Sequence, residues 1–229
     1  SQPDKIILKD RWKNWTWYNL LSRSFEYTEL IRKNFQHQNI SEIPILVGRS
    51  GESVAAIIGT IMAGYTFAPI SHNQPSIRIK NIINFLNLDK AVSGLHTSEK
   101  KPHKLQLVEL AENNIIGKQN QKPKSNQLLY LLFTSGSTGK PKGVLCSSQN
   151  ILNTLIWSKQ HLNWNKTDVM GCATQFSFDI SLFDFFTMLY YNIPLAILDN
   201  TSNADETLEQ ISKFKVTSIF SVPAFFSQF

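Results

Sequence analysis

Between Thr134 and Gly143 the sequence reads Thr-Ser-Gly-Ser-Thr-Gly-Lys-Pro-Lys-Gly, a stretch made only of hydroxyls, glycines, lysines and one proline. Gly136, Gly139 and Gly143 allow positive φ and close approach of backbone to a ligand, so successive N–H groups can turn toward one anion. Thr134, Ser135, Ser137 and Thr138 add hydroxyl donors, and Lys140 and Lys142 add positive charge. The chemistry this predicts is the holding of phosphate. The nucleotide-triphosphatase P-loop pattern fails, because its second glycine would fall on Pro141, and Lys140 is followed by proline where a helix should begin. A flexible Ser/Gly-rich hairpin with solvated lysines is the bland alternative.

A second stretch with chemical content is Gln175-Phe-Ser-Phe-Asp-Ile-Ser-Leu-Phe-Asp-Phe-Phe186. It sets Asp179 among phenylalanines, where an unpaired buried charge costs several kcal/mol. Asp179 therefore needs either a cation or a helix N-terminus, and a helix predicted over Leu182 to Tyr191 offers the second. Asp184 reads as a surface or capping residue.

The elements that must position these groups follow from periodicity. Leu128 to Phe133 is a continuous apolar run and predicts a strand buried on both faces, followed by a return strand from Val144 to Ser147. Upstream, Tyr27, Leu30, Ile31 and Phe35 have helical spacing. Ile43–Gly48 predicts a strand, Val54–Ala63 a buried helix ended by Gly64, and Tyr65–Ile70 another strand. The turn from Arg49 to Ser53 reads as a plain strand-to-helix connection with a capping serine. A helix from Ile77 to Leu88 follows. Asn150 to Leu162 predicts a helix with Leu152, Leu155, Ile156 and Leu162 as its buried stripe. Then come strand Asp168–Ala173, strand Pro194–Asp199, helix Ala204–Phe214 and strand Val216–Val222, with Pro223 opening a last helix. This alternation predicts an α/β fold of mostly parallel sheets covered by helices on both faces. Two parts are expected, about 1–125 and about 126–229, the second opening on the phosphate loop.

Composition excludes several classes. The 229 residues are 42% hydrophobic and 17% charged, and net charge is +6. Much of the positive charge lies in Lys100, Lys101, Lys104, Lys118, Lys122 and Lys124, in a polar stretch without interleaved aromatics, so a solvated loop is expected and no nucleic-acid partner. No apolar run approaches the roughly 18 residues of a membrane span, and the N-terminal residues lack the apolar core of a signal peptide. Two cysteines, Cys146 and Cys172, are too few for a disulfide framework; both are expected in the core of a cytoplasmic protein. Trp12, Trp15 and Trp17 read as core or interface anchors.

The Thr134–Gly143 string resembles the signature loop of the adenylate-forming superfamily, which includes amino-acid adenylation domains, acyl-CoA synthetases and luciferases. Three further segments are similar to amino-acid adenylation domains of the nonribosomal peptide synthetase type. Around Tyr27 the sequence resembles their Thr-Tyr-x-Glu-Leu segment, with Glu26 in place of the hydroxyl residue. Ala63-Gly-Tyr-Thr-Phe-Ala-Pro69 resembles Ala-Gly-x-x-Tyr-x-Pro, and Phe178-Asp-Ile-Ser181 resembles Phe-Asp-x-Ser. The wider Phe-Ser-Phe-Asp-Ile-Ser is also similar to free-standing D-alanine ligases.

The resemblance implies ATP and Mg2+ as cofactors, an amino acid as substrate, and a carrier-protein phosphopantetheine thiol as a possible acceptor. It implies phosphate-binding roles for Thr134, Ser135, Gly136, Ser137, Thr138, Gly139, Lys140 and Lys142. Asp179 becomes the anchor of the substrate's α-ammonium, with Phe178, Ile180 and Phe183 lining or bordering the side-chain pocket. No protein-held metal is expected within these residues. The family's Tyr-Gly-x-Thr-Glu segment, ribose-binding aspartate and C-terminal lid with its catalytic lysine have no counterpart here. The expectation is thus an N-terminal portion, inactive alone, with no catalytic residue of its own. Rival readings are a fragment of an acyl- or aryl-CoA ligase, which Asp179 opposes, and a non-catalytic phosphate-binding or interaction module.

Overall fold

The computed structural model describes residues 2–36, 40–102, 105–110, 128–135 and 141–229. In chain order the elements are β1 (Ile6–Lys9), β2 (Asn14–Thr16), α1 (Trp17–Phe35), β3 (Glu42–Val47), α2 (Gly51–Ala63), β4 (Thr66–Ser71), α3 (Ser76–Phe85), β5 (Lys90–Gly94) and β6 (Gln106–Val108). They continue with β7 (Leu128–Ser135), β8 (Pro141–Ser147), α4 (Ser148–His161), β9 (Met170–Cys172), α5 (Asp179–Tyr191), β10 (Leu195–Ile197), α6 (Ala204–Phe214), β11 (Ser218–Ile219) and α7 (Pro223–Phe226). One sheet has the order β6-β5-β3-β4-β7-β8 and the other β11-β9-β10-β1-β2. Both are parallel except for one antiparallel pair each, β7/β8 and β1/β2. The expected α/β class therefore stands.

The first sheet is built as the apolar runs require. β3 is buried from Ile43 to Val47 and β4 throughout, since each is flanked by parallel neighbours. α2 packs on α1 at Gly59, where a Cβ would lie 2.6 Å from the Tyr27 Cβ and 2.7 Å from the Ser24 carbonyl oxygen. Gly64 ends α2 at φ 91°, as its left-handed C-cap role demands.

Several expectations are corrected. The β7 run is not buried on both faces: Tyr130 and Leu131 are, whereas Leu128 is 41% exposed and Leu132 and Phe133 are half-buried. The cause is β8, an edge strand that carries Val144 and Leu145 exposed. Cys146 on that strand is half-buried, and only Cys172 is in the core. In α4 only Leu155 of the expected stripe is buried, because the helix meets α5 there and presents Leu152, Ile156 and Leu162 outward. β7 and β8 complete the first sheet, while β1 crosses to the second and pairs with β10.

Of the three tryptophans, Trp15 is core, Trp12 stacks on His96, and Trp17 donates its indole N–H to Asn192. The expected capping serine is Ser50, but its hydroxyl donates to Glu99 rather than accepting from the helix. The polar lysine-rich stretch lies largely outside the described residues.

Candidate functional site

β9 ends at Cys172, and the loop after it is tied to α5 by one side chain. The Ser181 hydroxyl lies 2.9 Å from the Gln175 carbonyl oxygen and 2.7 Å from that of Phe178. This fixes where the helix begins: Phe178 is the N-cap and Asp179 the first helical residue, three residues earlier than expected. Asp179 is exposed, not enclosed by phenylalanines, so the desolvation expected from its aromatic neighbours in sequence does not occur. Its only described hydrogen bond is from the amide of Ile180, at 2.9 Å. It is therefore not the N-cap, and its carboxylate faces open space.

Two cavities meet at that carboxylate. One, of about 360 Å3, is walled by Ile180, Phe183, Phe186, Phe220, Leu155 and Trp157. Phe183 and Phe220 pack with ring centroids 5.1 Å apart, bringing α5 against the segment after β11. The other, of about 500 Å3, runs from Phe178 and Ser177 to Phe133, Thr134 and Cys146 of the β7/β8 hairpin. Asp179 and Tyr130 line both. Tyr130 was not singled out by the sequence, although a lone tyrosine inside an aliphatic strand is a visible signal. Burial first, then the Cys146 thiol and the Asp179 charge, hold its hydroxyl protonated well above the ordinary phenol range.

The hairpin expected after the apolar run forms, with Thr134 opposite Lys142 and Ser135 opposite Pro141. The Thr134 hydroxyl bridges weakly to the Lys142 carbonyl oxygen at 3.4 Å. Gly136, Ser137, Thr138, Gly139 and Lys140 lie outside the described residues. Thr134 and Asp179 thus share one cavity, Phe178 borders it, and Ile180 and Phe183 wall the other. Lys142 is exposed on β8 and lines neither. Among the described residues no group of three His, Cys, Asp or Glu could hold a metal.

Asp184 is not a surface or capping residue. It is 0% exposed, and neither carboxylate oxygen has a hydrogen-bond partner among the described residues. One and a half turns into α5 its side chain points at β9, where its electrostatic neighbour is the equally buried Cys172 thiol. Burial pushes both groups up, Asp184 well above the ordinary carboxylate range. The folded chain then holds a proton that the unfolded chain releases above about pH 4. Asp184's contribution to stability is greatest below that pH and falls as pH rises toward the folded-state value, with a slope of up to ~1.4 kcal/mol per pH unit for one proton. Asp184→Asn should match the parent near pH 4 and exceed it at neutral pH in urea unfolding. Equal pH slopes in parent and variant would show that Asp184 is ionised in the fold.

The AMP-binding enzyme family matches residues 1–229, and the chain belongs to it. That is a family of adenylate-forming ligases. The chain is similar to gramicidin S synthase 2 of Brevibacillus brevis, 28% identical over 233 residues that cover 99% of this chain and 5% of the relative. Bacitracin synthase 3 of Bacillus licheniformis is 30% identical over 192 residues, covering 80% of this chain and 3% of the relative. Among solved structures, the nonribosomal peptide synthetase FmoA3 in an AMPPNP-bound form superposes with a TM-score of 0.85 at 17% identity, over 99% of this chain and 25% of that one. VinN in complex with L-aspartate gives 0.80 at 17% identity, over 99% and 65%. The chain thus spans only a small fraction of the length of these two synthases. No described helix is long and apolar enough to cross a membrane.

Proposed function

We propose that this chain is part of an ATP-dependent enzyme that activates an amino acid as its aminoacyl-adenylate. The observation that carries the reading is the Asp179 carboxylate, left with one amide partner at the junction of an apolar cavity and a second cavity that reaches the hairpin. A substrate with its α-ammonium on Asp179 would lay its side chain between Ile180, Phe183 and Phe220. Its carboxylate would then point along the cavity toward Thr134, where ATP phosphates would lie.

In the reaction a carboxylate oxygen attacks the α-phosphorus, a new P–O bond forms, and the α–β bridging bond breaks with its electron pair leaving on pyrophosphate. Thr134, Ser135, Gly136, Ser137, Thr138, Gly139, Lys140 and Lys142 would hold the departing phosphates, and donors already in place stabilise charge as it develops. Both lysines would serve as cations toward the phosphates. Mg2+ would enter with ATP, and the described residues supply no cage for it. Transfer to a carrier-protein thiol is the step this reading gives the product, supported by the synthase relatives. The CoA-ligase reading is the rival, and Asp179 is the residue that separates the two.

The test is amino-acid-dependent exchange of pyrophosphate into ATP. The full-length enzyme should exchange, and residues 1–229 alone should not. Lys142→Ala in that enzyme should lower kcat by about 10²-fold, the effect of removing one preorganised oxyanion donor, with the amino-acid KM little changed. An unaltered kcat takes Lys142 out of the mechanism; absence of exchange with every amino acid in the full-length enzyme refutes the reading.

A further inference from the structure

A third cavity, of about 760 Å3, opens at the carboxyl ends of β9 and β10 and shares no lining residue with the two at Asp179. Its place follows from topology. From β9 the chain passes through α5 to β10 on one side, and from β10 through α6 to β11 on the other side of β9. Right-handed crossovers in opposite directions send the two helices to opposite faces. The loops leaving β9 and β10 therefore part, and such a switch point is where open α/β sheets hold ligands.

The groups around the opening are sorted by charge. Arg49 reaches in from the other sheet, its Nε–H donating to the Leu198 carbonyl oxygen at 2.6 Å and its Nη2 to that of Cys172 at 3.2 Å. Among the described residues no carboxylate lies within ion-pair distance of this guanidinium; Asp199 acts on it only through space. The two acidic residues of the wall are already engaged, Asp199 by Arg11 and the Asn200 amide, Glu206 by the side chains of Asn200 and Asn203. Without a hydrogen bond or ion pair to any described residue are Arg49 Nη1, the Lys213 ammonium and the side-chain amides of Asn73 and Gln175, all lining the cavity. Guanidinium and ammonium groups are donors only, and an amide can present its NH2. A polar cavity whose uncommitted groups are cations and amides is complementary to an oxyanion.

We propose that this cavity binds an oxyanion, the phosphoryl or carboxylate group of a small polar molecule, between Arg49 and Lys213 with Asn73 and Gln175 completing its hydrogen bonds. The site shares no lining residue with the cavity that reaches Thr134 of the hairpin, and it is independent of the amino-acid reading. Its occupant would touch the loop that leads from β9 to Asp179, since Gln175 lies four positions before that residue.

The experiment titrates the full 229-residue chain with sodium phosphate and, separately, sodium acetate at constant ionic strength, following backbone amide shifts. Saturable shifts are expected at Gln175 and over residues 200–202. They should persist in Lys142→Ala, which weakens the other anion site, and the affinity should drop at least tenfold in the Lys213→Ala/Gln175→Ala double variant. Response to phosphate alone assigns a phosphoryl group, and response to acetate extends the site to carboxylates. No saturable shift there with either anion, or equal affinity in the double variant, overturns the proposal. Lys213→Ala alone, a change on the exposed face of α6, repeats the test if the double variant folds poorly.

Discussion

In the full-length enzyme, Asp179→Ala should lower kcat/KM for the amino acid by about 30-fold or more, while its des-amino analogue loses little. The size depends on whether water stays between carboxylate and ammonium. Asp179 is exposed without substrate, and an ion pair that stayed so wet would contribute under ~1 kcal/mol, about fivefold. A bound amino acid changes that. On the proposed reading its side chain would fill the cavity of about 360 Å3 between Ile180, Phe183 and Phe220 and displace the water beside Asp179, and a charge-assisted pair so enclosed is worth on the order of 2 kcal/mol or more. Loss of a helix cap predicts equal harm to both substrates, but Phe178 holds the cap position and Asp179 accepts only one adjacent amide. The measurement is kcat/KM for the amino acid and for its des-amino analogue, in parent and variant. A ratio that does not move between the two enzymes removes the ammonium anchor and favours the acyl- or aryl-CoA ligase.

How much of this was legible in the sequence depended on how local the cause was. The run from β3 to α3 and from α5 to α6 could be read because each apolar period is completed by a neighbour close in the chain. β1 and β2 could not: β1 finds its partner in Leu195 and Ala196, about 187 positions away, and its short segment of lysines and tryptophans has no clean alternation. Asp184 was misread for a similar reason. Capping is a local rule, whereas burial against β9 is decided by how α5 lies on its sheet. The stripe on α4 has helical spacing, but α5 covers only Leu155 and leaves Leu152, Ile156 and Leu162 exposed. Tyr130 became meaningful only when β7 and α5 set it and Asp179 around the same two cavities, although the two lie 49 positions apart in the chain. The Thr134–Gly143 loop is the reverse case: its expected role is read from composition, and Gly136 to Lys140 lie outside the described residues.

Asp10→Ala should destabilise the chain by about 2 to 6 kcal/mol, from two buried donors left unpaired, a large share of the roughly 5–15 kcal/mol by which domains are stable. Asp10 is 4% exposed, and one carboxylate serves four donors. Oδ1 accepts from the amides of Trp12 and Lys13 at 2.9 and 2.8 Å. Oδ2 accepts from the Trp15 indole at 2.9 Å and from the Gly51 amide at 2.8 Å. The last of these matters most, because Gly51 opens α2 and the Ser50 hydroxyl does not cap that helix. Asp10, on the loop between β1 and β2 of the second sheet, therefore neutralises the helix N-terminus of the first and ties the two sheets together. Alanine leaves the buried Trp15 indole and Gly51 amide without an acceptor, each costing about 1–3 kcal/mol, while the part-buried Trp12 and Lys13 amides can turn to water. Asp10→Asn should fall between, since its amide keeps one acceptor oxygen but turns an NH2 toward the remaining donors. Urea unfolding of the three proteins at neutral pH, with tryptophan fluorescence as the signal, measures the difference directly. A loss under ~1 kcal/mol for the alanine variant would mean that water already reaches these donors and that the bridge between the sheets rests on apolar packing alone.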